Sequence, residues 1–225
     1  MKTSSTSRKR ISNENISVPV FKNRFLDRLS RAPFYVPITF LIIFTSSLIY
    51  WNVTHSYVSF VEAIPLFIGG WLLFTLVEYL MHRFLYHISA PTEKREKFQY
   101  TIHGVHHEYP KDKLRLAMPP VPMMMLAALF LSVFYLILNT LAFVTFAGFT
   151  LGYISYLFTH YSVHVMNPPR NFLKALWVNH AIHHYSQEEY CFGVSSPLWD
   201  HVFGTYPKKK VLKSMSVDSI TEENL

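Results

Sequence analysis

Four long apolar runs dominate the middle of the chain, and they fall into two pairs. The first pair covers residues 34–53 and 57–80, and the second covers residues 121–138 and 141–158. Each run is close to the roughly 20 residues that an α-helix needs to cross the hydrocarbon core of a bilayer. Buried helices of a soluble protein usually carry a polar face, which these runs mostly lack. The pattern therefore predicts an all-α integral membrane protein with four transmembrane helices in two hairpins.

The basic residues predict which ends of these helices face the cytoplasm. All 21 Lys and Arg lie in residues 2–31, 83–115 and 170–213, and the two intervening stretches contain none. Basic residues concentrate in cytoplasmic loops, so both termini and the central segment are predicted to be cytoplasmic. The net charge of +7 then requires no nucleic acid as a partner. The endoplasmic reticulum and a bacterial plasma membrane fit this topology equally well.

This topology divides the chain into three parts. Residues 1–33 are expected to form a basic cytosolic segment, residues 34–207 the functional domain, and residues 208–225 a polar tail. The single cysteine, Cys191, excludes an internal disulfide framework. Any metal site must therefore use other ligands.

Histidine supplies those ligands in four clusters, HRFLYH, HGVHH, HYSVH and HAIHH. Each cluster lies at the cytoplasmic end of an apolar run or in a segment flanked by basic residues, so all ten histidines can meet on one side of the membrane. They are His82, His87, His103, His106, His107, His160, His164, His180, His183 and His184.

Helix geometry relates these spacings to metal binding. Positions i, i+3 and i+4 share one helix face, so each HxxHH motif can aim three imidazoles at one locus. His82 and His87 would point about 140° apart on an ideal α-helix, so either the helix breaks after Tyr86 or the two bind different metals. Ten imidazoles exceed the ligands of one ion and suit two ions with about five each. His55, on the far side, and His201, outside any chelating spacing, are not expected to be ligands.

The composition of the site suggests its chemistry. It lacks the thiolates of a structural zinc site and the several carboxylates of a soluble di-iron bundle, whereas imidazole suits iron, copper and zinc. A site at the cytoplasmic ends of membrane helices can receive a lipid chain from the bilayer and electrons from a cytosolic carrier. This combination favours oxygen-dependent chemistry on an unactivated C–H bond with a redox-active metal.

The ordered series of four histidine motifs resembles the membrane fatty acid hydroxylase superfamily. More narrowly, HGVHHEYPKDKLRLAMPP and GVSSPLWDHVFGTYP resemble the fatty acid 2-hydroxylases that act on sphingolipids. The resemblance runs from Glu78 to Pro207 and implies a four-helix membrane anchor under a cytosolic helical cap that holds two metal ions. By position, all ten clustered histidines match the family's metal ligands, and no further catalytic residue is implied.

The same resemblance implies hydroxylation of the 2-carbon of a long acyl chain, free or in ceramide. The reaction would use molecular oxygen and electrons from cytochrome b5 or a ferredoxin-like donor. Iron is expected for turnover, although structures of family members contain zinc. Only about 33 residues precede the first predicted helix, too few for a cytochrome b5 domain, so the donor is expected to be a separate protein. Relatives commonly carry Tyr-Asp where this chain has Tyr156 and Leu157, so a polar contact of that Asp is expected to be missing.

For several residues near the histidine clusters, the sequence is compatible with two different roles. Glu78, one turn before His82, is either a hydrogen-bond partner that orients an imidazole or an interfacial carboxylate. Tyr153 and Tyr156 either line the substrate entrance or are ordinary interfacial tyrosines. A further pair, Asp112 and Arg115, would either position a lipid head group or belong to a solvated run of charges.

Two other functions also remain open at this point. One is a hydroxylase or desaturase of the same superfamily that acts on a sterol, carotenoid or alkane, against which the two flanking motifs argue. The other is a histidine-rich membrane protein that binds or transports metal. A transporter should place ligands near the bilayer midplane, where the apolar runs hold almost none.

Overall fold

The computed structural model describes residues 11–207, and this part of the chain is helical without a β-strand, so the predicted all-α class is confirmed. The start of the basic N-terminal segment, residues 1–10, and the predicted polar tail, residues 208–225, lie outside the described residues. The helices are α1 (Arg24–Leu29), α2 (Tyr35–His55), α3 (Phe60–Leu80), α4 (Glu93–Gln99), α5 (Val105–Glu108), α6 (Pro120–Leu138), α7 (Ala142–Val165), α8 (Lys174–Tyr185) and α9 (Leu198–Val202).

Within residues 11–207, three continuous helical stretches are long and apolar enough to cross a membrane. They are Tyr35–His55, Phe60–Tyr86 and Pro120–Val165, which contain 21, 27 and 46 residues. The third contains both α6 and α7, joined by a short 3₁₀ turn that begins at Asn139 with a φ of 52°. The chain reverses direction at this turn. The reversal is shown by the ring of Phe130 in α6, which packs on the ring of Phe149 in α7 with centroids 5.5 Å apart. The four apolar runs of the sequence therefore correspond to α2, α3, α6 and α7.

Local chemistry sets the starts of two of these helices. The Ser59 hydroxyl accepts a hydrogen bond from the Glu62 N–H, and the Glu62 carboxylate accepts one from the Ser59 N–H, which forms a capping box at the start of α3. Pro120 occupies the first position of α6, where its missing N–H removes no helical hydrogen bond.

The most deeply buried helix is α7, which packs between α2, α3 and α6. Two glycines allow α3 and α7 to approach closely. A Cβ atom on Gly70 would lie 1.8 Å from the Thr145 carbonyl oxygen, and one on Gly148 would lie 1.9 Å from the Phe67 carbonyl oxygen. Such close backbone contact through small residues is typical of helix packing in membranes. It holds α3 against α7, and grouped histidines lie towards the C-terminal ends of both helices.

The segment before α2 is tied to the region between α5 and α6 by buried charges. Asp112 accepts a hydrogen bond from the Ser17 hydroxyl at 2.6 Å and lies 3.3 Å from the Nε of Arg115. Arg115 donates to the Val18 carbonyl oxygen at 2.7 Å. Both sequence interpretations of Asp112 and Arg115 are therefore wrong, because these side chains are buried and join two parts of the protein.

Candidate metal centre

The ten clustered histidines form two groups of five. Within each group, one ring nitrogen per residue lies within 4.8 Å of the corresponding nitrogens of the others, and eight of the ten residues are buried. The first histidine group is His82, His87, His103, His107 and His183. The second histidine group is His106, His160, His164, His180 and His184.

A π-helical turn brings His82 and His87 together. Residues Met81–Tyr86 continue α3 with π winding, and the His87 N–H donates to the His82 carbonyl oxygen five residues back at 3.2 Å. The two rings consequently lie on the same side, with centroids 5.2 Å apart. The helix ends after Tyr86, which agrees with the first of the two alternatives from the sequence. Both histidines belong to one group, so the second alternative, in which they bind different metals, is not supported. Single π-helical turns occur frequently at functional sites.

Each HxxHH motif serves both groups, so its three imidazoles do not aim at one locus as the spacing allowed. In HGVHH, His103 and His107 join the first group, whereas His106 joins the second. In HAIHH, His183 alone joins the first group. The i and i+4 positions share a direction, and the i+3 position points about 60° away from i. A helix that lies between the two groups separates its histidines in this way.

The spacing of ring nitrogens fits bound metal ions. Nε2 of His103 lies 3.1 Å from Nε2 of His82 and 2.9 Å from Nε2 of His107. Two ligands at right angles around an ion, each about 2.1 Å from it, would be about 3.0 Å apart. In the second group, neither ring nitrogen of buried His184 has a hydrogen-bond partner among residues 11–207. Such an unsatisfied buried group is costly, and a metal ion would satisfy it.

Backbone carbonyl oxygens fix the orientation of three rings. Nδ1 of His82 lies 2.6 Å from the Phe192 oxygen, Nδ1 of His183 lies 2.8 Å from the Tyr190 oxygen, and Nδ1 of His160 lies 2.9 Å from the Leu116 oxygen. A carbonyl oxygen only accepts hydrogen bonds, so each Nδ1 must carry the proton. Nε2 therefore presents a lone pair to the group, as metal-binding histidines commonly do.

The electrostatic environment keeps these imidazoles neutral. Burial, reinforced by neighbouring histidines, lowers the pKa well below its usual value for His103, His106, His180, His183 and His184. Burial also lowers the pKa of His87 to about 4. Neutral imidazole is the form that binds metal, so both groups are prepared for metal ions at neutral pH.

Glu78 hydrogen-bonds a loop and no histidine ring among residues 11–207, so its interpretation as a direct partner of an imidazole is wrong, whereas its interfacial position stays a prediction. Its buried carboxylate accepts hydrogen bonds from the N–H of Val194 at 2.8 Å and of Ser195 at 2.9 Å, and from the Ser195 hydroxyl. The same loop contains Phe192, whose carbonyl oxygen orients His82. Glu78 is therefore connected to the first histidine group through the backbone of this loop.

Asp200 holds the other side of this loop, a role that sequence reasoning missed. Its carboxylate accepts hydrogen bonds from the N–H groups of Phe192 and Gly193, both at 2.9 Å, and from the Thr205 hydroxyl at 2.7 Å. Asp200 lies within the GVSSPLWDHVFGTYP motif, which was the available signal. The partners lie five to eight residues away in a loop without regular structure, so no periodic pattern points to them.

An apolar cavity extends from the first histidine group into the helical bundle. His82 and Tyr86 line its end near the histidines, and Phe130 and Phe149 line it deeper in the bundle. The remaining lining residues are Leu41, Phe74, Glu78, Met81, Met118, Met123, Leu126, Ala127, Phe146, Thr150, Tyr153 and Tyr156.

Tyr153 and Tyr156 both line this cavity, and their role at a substrate entrance stays a prediction. The ring of Tyr156 also stacks on His160, with centroids 5.4 Å apart. Leu157 does not line the cavity but is buried beside it, in an apolar cluster with the lining residues Leu41 and Met123.

The two remaining histidines lie outside both groups. His55 is exposed at the end of α2, where its ring packs on Trp51 with centroids 4.0 Å apart. His201 is exposed in α9 and stacks on Tyr206 at 4.1 Å.

Comparisons with known proteins agree with this arrangement. The fatty acid hydroxylase family matches residues 67–205. The ceramide very long chain fatty acid hydroxylase scs7 of Schizosaccharomyces pombe is 37% identical over 84% of this chain and 55% of its own length. The fatty acid 2-hydroxylase of Rattus norvegicus is 40% identical over 63% of this chain and 39% of its own length.

A solved structure, described as full-length Scs7p with only the hydroxylase domain visible, has a TM-score of 0.74 and 34% identity over 84% of this chain and 71% of that chain. The chain spans about half the length or less of the S. pombe and rat relatives. The family match includes all ten grouped histidines, the loop that orients His82 and much of the cavity. The chain belongs to the fatty acid hydroxylase family.

Proposed function

We propose that this protein is a membrane-bound oxygenase that hydroxylates the 2-carbon of a long-chain fatty acyl group, free or in a sphingolipid. The observation that carries the proposal is the pair of five-histidine groups beside an apolar cavity. The ten histidines would hold two metal ions, with iron expected for turnover. When bound, redox-active ions would supply the chemistry that inserts an oxygen atom from O2 into a C–H bond.

The chain's own residues would position the substrate. Phe130, Phe149 and the other apolar lining residues would bind the hydrocarbon tail and exclude water from it. The carboxyl or amide end of the acyl group would then lie near His82 and Tyr86. In this orientation the carbon next to that polar end is close to the histidine groups, which accounts for reaction at the 2-position.

The proposal includes a topology. We infer that α2, α3, α6 and α7 each cross the membrane, and that α4, α5, α8 and α9 form a cytosolic cap over the C-terminal ends of α3 and α7. The distribution of basic residues supports this orientation. Electrons would come from a separate cytosolic carrier, such as a cytochrome b5 or a ferredoxin-like protein. The membrane itself would be the endoplasmic reticulum or a bacterial plasma membrane.

The relatives favour an acyl substrate over a sterol, carotenoid or alkane, since the S. pombe and rat proteins are named as fatty acid hydroxylases. The position of the histidine groups argues against metal transport. Both groups lie at the ends of α3 and α7 and among the cap helices, whereas a transport site would lie near the middle of the spans.

The proposal is tested by expressing the full chain, with a cytochrome b5 and its reductase, in a host that lacks 2-hydroxy lipids. Mass spectrometry of hydrolysed lipids should detect 2-hydroxy fatty acids. The variant His106→Ala should abolish them, whereas His201→Ala should not. Hydroxylation at another carbon, or product formation that is unaffected by His106→Ala, would contradict the proposal.

A further inference from the structure

The segment before α2 contains a cleft that is lined mainly by cations. Lys22, Arg24, Arg28 and Arg31 line this cleft together with one carboxylate, that of Asp27. Arg31 pairs with Asp27. Within residues 11–207, no carboxylate oxygen lies within 4.0 Å of the side-chain nitrogens of Lys22, Arg24 or Arg28. Three positive charges therefore face the cleft without an acidic partner.

Asp27 is already committed to the protein interior. Its carboxylate accepts hydrogen bonds from the N–H groups of Val20 at 2.7 Å and Phe21 at 3.4 Å, and from Arg115 at 3.3 Å. Burial alone would raise the pKa of Asp27, but these N–H groups and the charge of Arg31 outweigh burial and hold the pKa below its usual value. The carboxylate thus stays ionised and fixes α1 against the rest of the protein.

Part of the exposed surface of α1 is apolar. Phe25, Leu26 and Leu29 have exposed fractions of 69%, 48% and 46%. At about 100° per residue, these three form one arc of the helix, and Arg24 with Arg28 form the adjoining arc. Exposed apolar and basic arcs side by side are characteristic of helices that lie in the surface of an anionic membrane.

We propose that α1 lies in the cytosolic surface of the bilayer and that its basic cleft binds the phosphate of an anionic phospholipid. The apolar arc would enter the boundary between head groups and acyl chains, and Lys22, Arg24 and Arg28 would contact the phosphate. Position supports a lipid occupant, because five residues separate α1 from the start of α2, the first candidate membrane span. This surface is distinct from both histidine groups; the inference rests on the topology under the proposed function but not on the hydroxylation reaction.

One test counts bound lipids on the full chain. The protein is placed in nanodiscs of phosphatidylcholine and phosphatidylglycerol, released in the gas phase, and its retained lipids are identified by native mass spectrometry. The wild type should retain phosphatidylglycerol preferentially. The double variant Arg24→Gln/Arg28→Gln should reduce that preference by up to about 30-fold, the loss expected for two cations at an anionic surface.

The matched control is Lys94→Gln/Arg95→Gln in α4, which removes the same charge from exposed positions of the cap. It should leave the preference unchanged. Equal lipid preference in the two double variants would overturn the proposal. Displacement of the retained phosphatidylglycerol by millimolar inorganic phosphate would also overturn the proposal. In that case the cleft would be a site for free phosphate, not for a lipid. Metal content at the wild-type level verifies that each variant is folded.

A second test measures depth in the membrane. Cys191 is the single cysteine and is buried, so a spin label attached to Phe25→Cys is selective. In liposomes of the same lipids, this label should be more accessible to oxygen than to a water-soluble nickel chelate. A label at Lys94→Cys should show the opposite preference. Equal access of the chelate to both positions would show that α1 lies in water and that the proposal is wrong.

Discussion

His183 and His184 are neighbours in the sequence but belong to different histidine groups. Nε2 of His183 lies 3.0 Å from Nε2 of His87 in the first group, whereas the His184 ring lies 4.7 Å from the His164 ring in the second. Successive side chains on an α-helix point about 100° apart, so a helix that passes between two sites contributes to both. In this way, α8 links the geometry of the two groups.

Removal of one ligand should therefore affect the two groups unequally. We expect His106→Ala to reduce metal content from two ions per chain towards one, because the first group keeps its five histidines. Metal per chain is measured by inductively coupled plasma mass spectrometry after iron or zinc loading. The control is His201→Ala, which changes an exposed histidine outside both groups. Retention of two ions by His106→Ala would contradict its assignment as a ligand.

Glu78→Gln should weaken metal binding although Glu78 makes no hydrogen bond to a histidine ring within residues 11–207. The amide cannot accept all the hydrogen bonds that Val194 and Ser195 donate, so the loop that orients His82 should shift. Substitutions of such supporting residues typically cost about 10- to 100-fold in metal affinity. Affinity is measured by competition with a chelator, with Glu96→Gln at an exposed site as control. An unchanged affinity would show that the loop holds its position without Glu78.

Gly70→Ala should destabilise the helical bundle. Its added Cβ would meet the Thr145 carbonyl oxygen at 1.8 Å, so α3 and α7 would have to separate. Overpacking of this kind typically costs about 1–3 kcal/mol. Thermal unfolding in detergent, followed by tryptophan fluorescence, should show a lower Tm.

The adjacent Gly69 provides a matched control, since a Cβ there meets no atom within 4 Å. Alanine is favoured over glycine in a helix by about 1 kcal/mol, so Gly69→Ala should preserve or raise the Tm. If the two variants have equal Tm values, the contact between α3 and α7 is looser than the structure indicates.

Ala127→Leu should shorten the acyl chains that the protein hydroxylates, because Ala127 lines the apolar cavity. Discrimination in an apolar pocket is about 10-fold or more per methylene group, so the yield of the longest 2-hydroxy acids should fall by at least that factor. The control is Ala128→Leu, since Ala128 is exposed on the outside of α6. Product chain lengths are compared by mass spectrometry. Identical chain-length profiles would place the substrate outside this cavity.

Much of the architecture could be predicted from the sequence, because the length of an apolar run and the charges that flank it can be read from a short stretch of chain. The apolar runs at 34–53 and 57–80 correspond to α2 and α3 within a few residues. The spacing of the histidines also indicates chelation, since i and i+4 positions on one helix share a face. His160 with His164 shows this relationship directly, as both belong to the second group.

The remaining features depend on contacts between distant parts of the chain. Glu78 binds the N–H of Ser195, which lies 117 residues later, and no local pattern reports that contact. Arg115 and Asp27 are separated by 88 residues and look like surface charges until the fold brings them together. The winding of the turn before His87 was also inaccessible, because predictions from periodicity assume 3.6 residues per turn.

The π-helical turn at Met81–Tyr86 makes the site depend on how the backbone is wound as well as on residue identity. Its hydrogen bond spans five residues, from His87 to His82, whereas an α-helical bond would span four. If the same residues were wound as an ordinary α-helix, the helix would be more regular. It would also place His87 about 140° from His82 around the helix axis and move it away from its group. In this segment, a better-formed helix would be a poorer scaffold for binding metal.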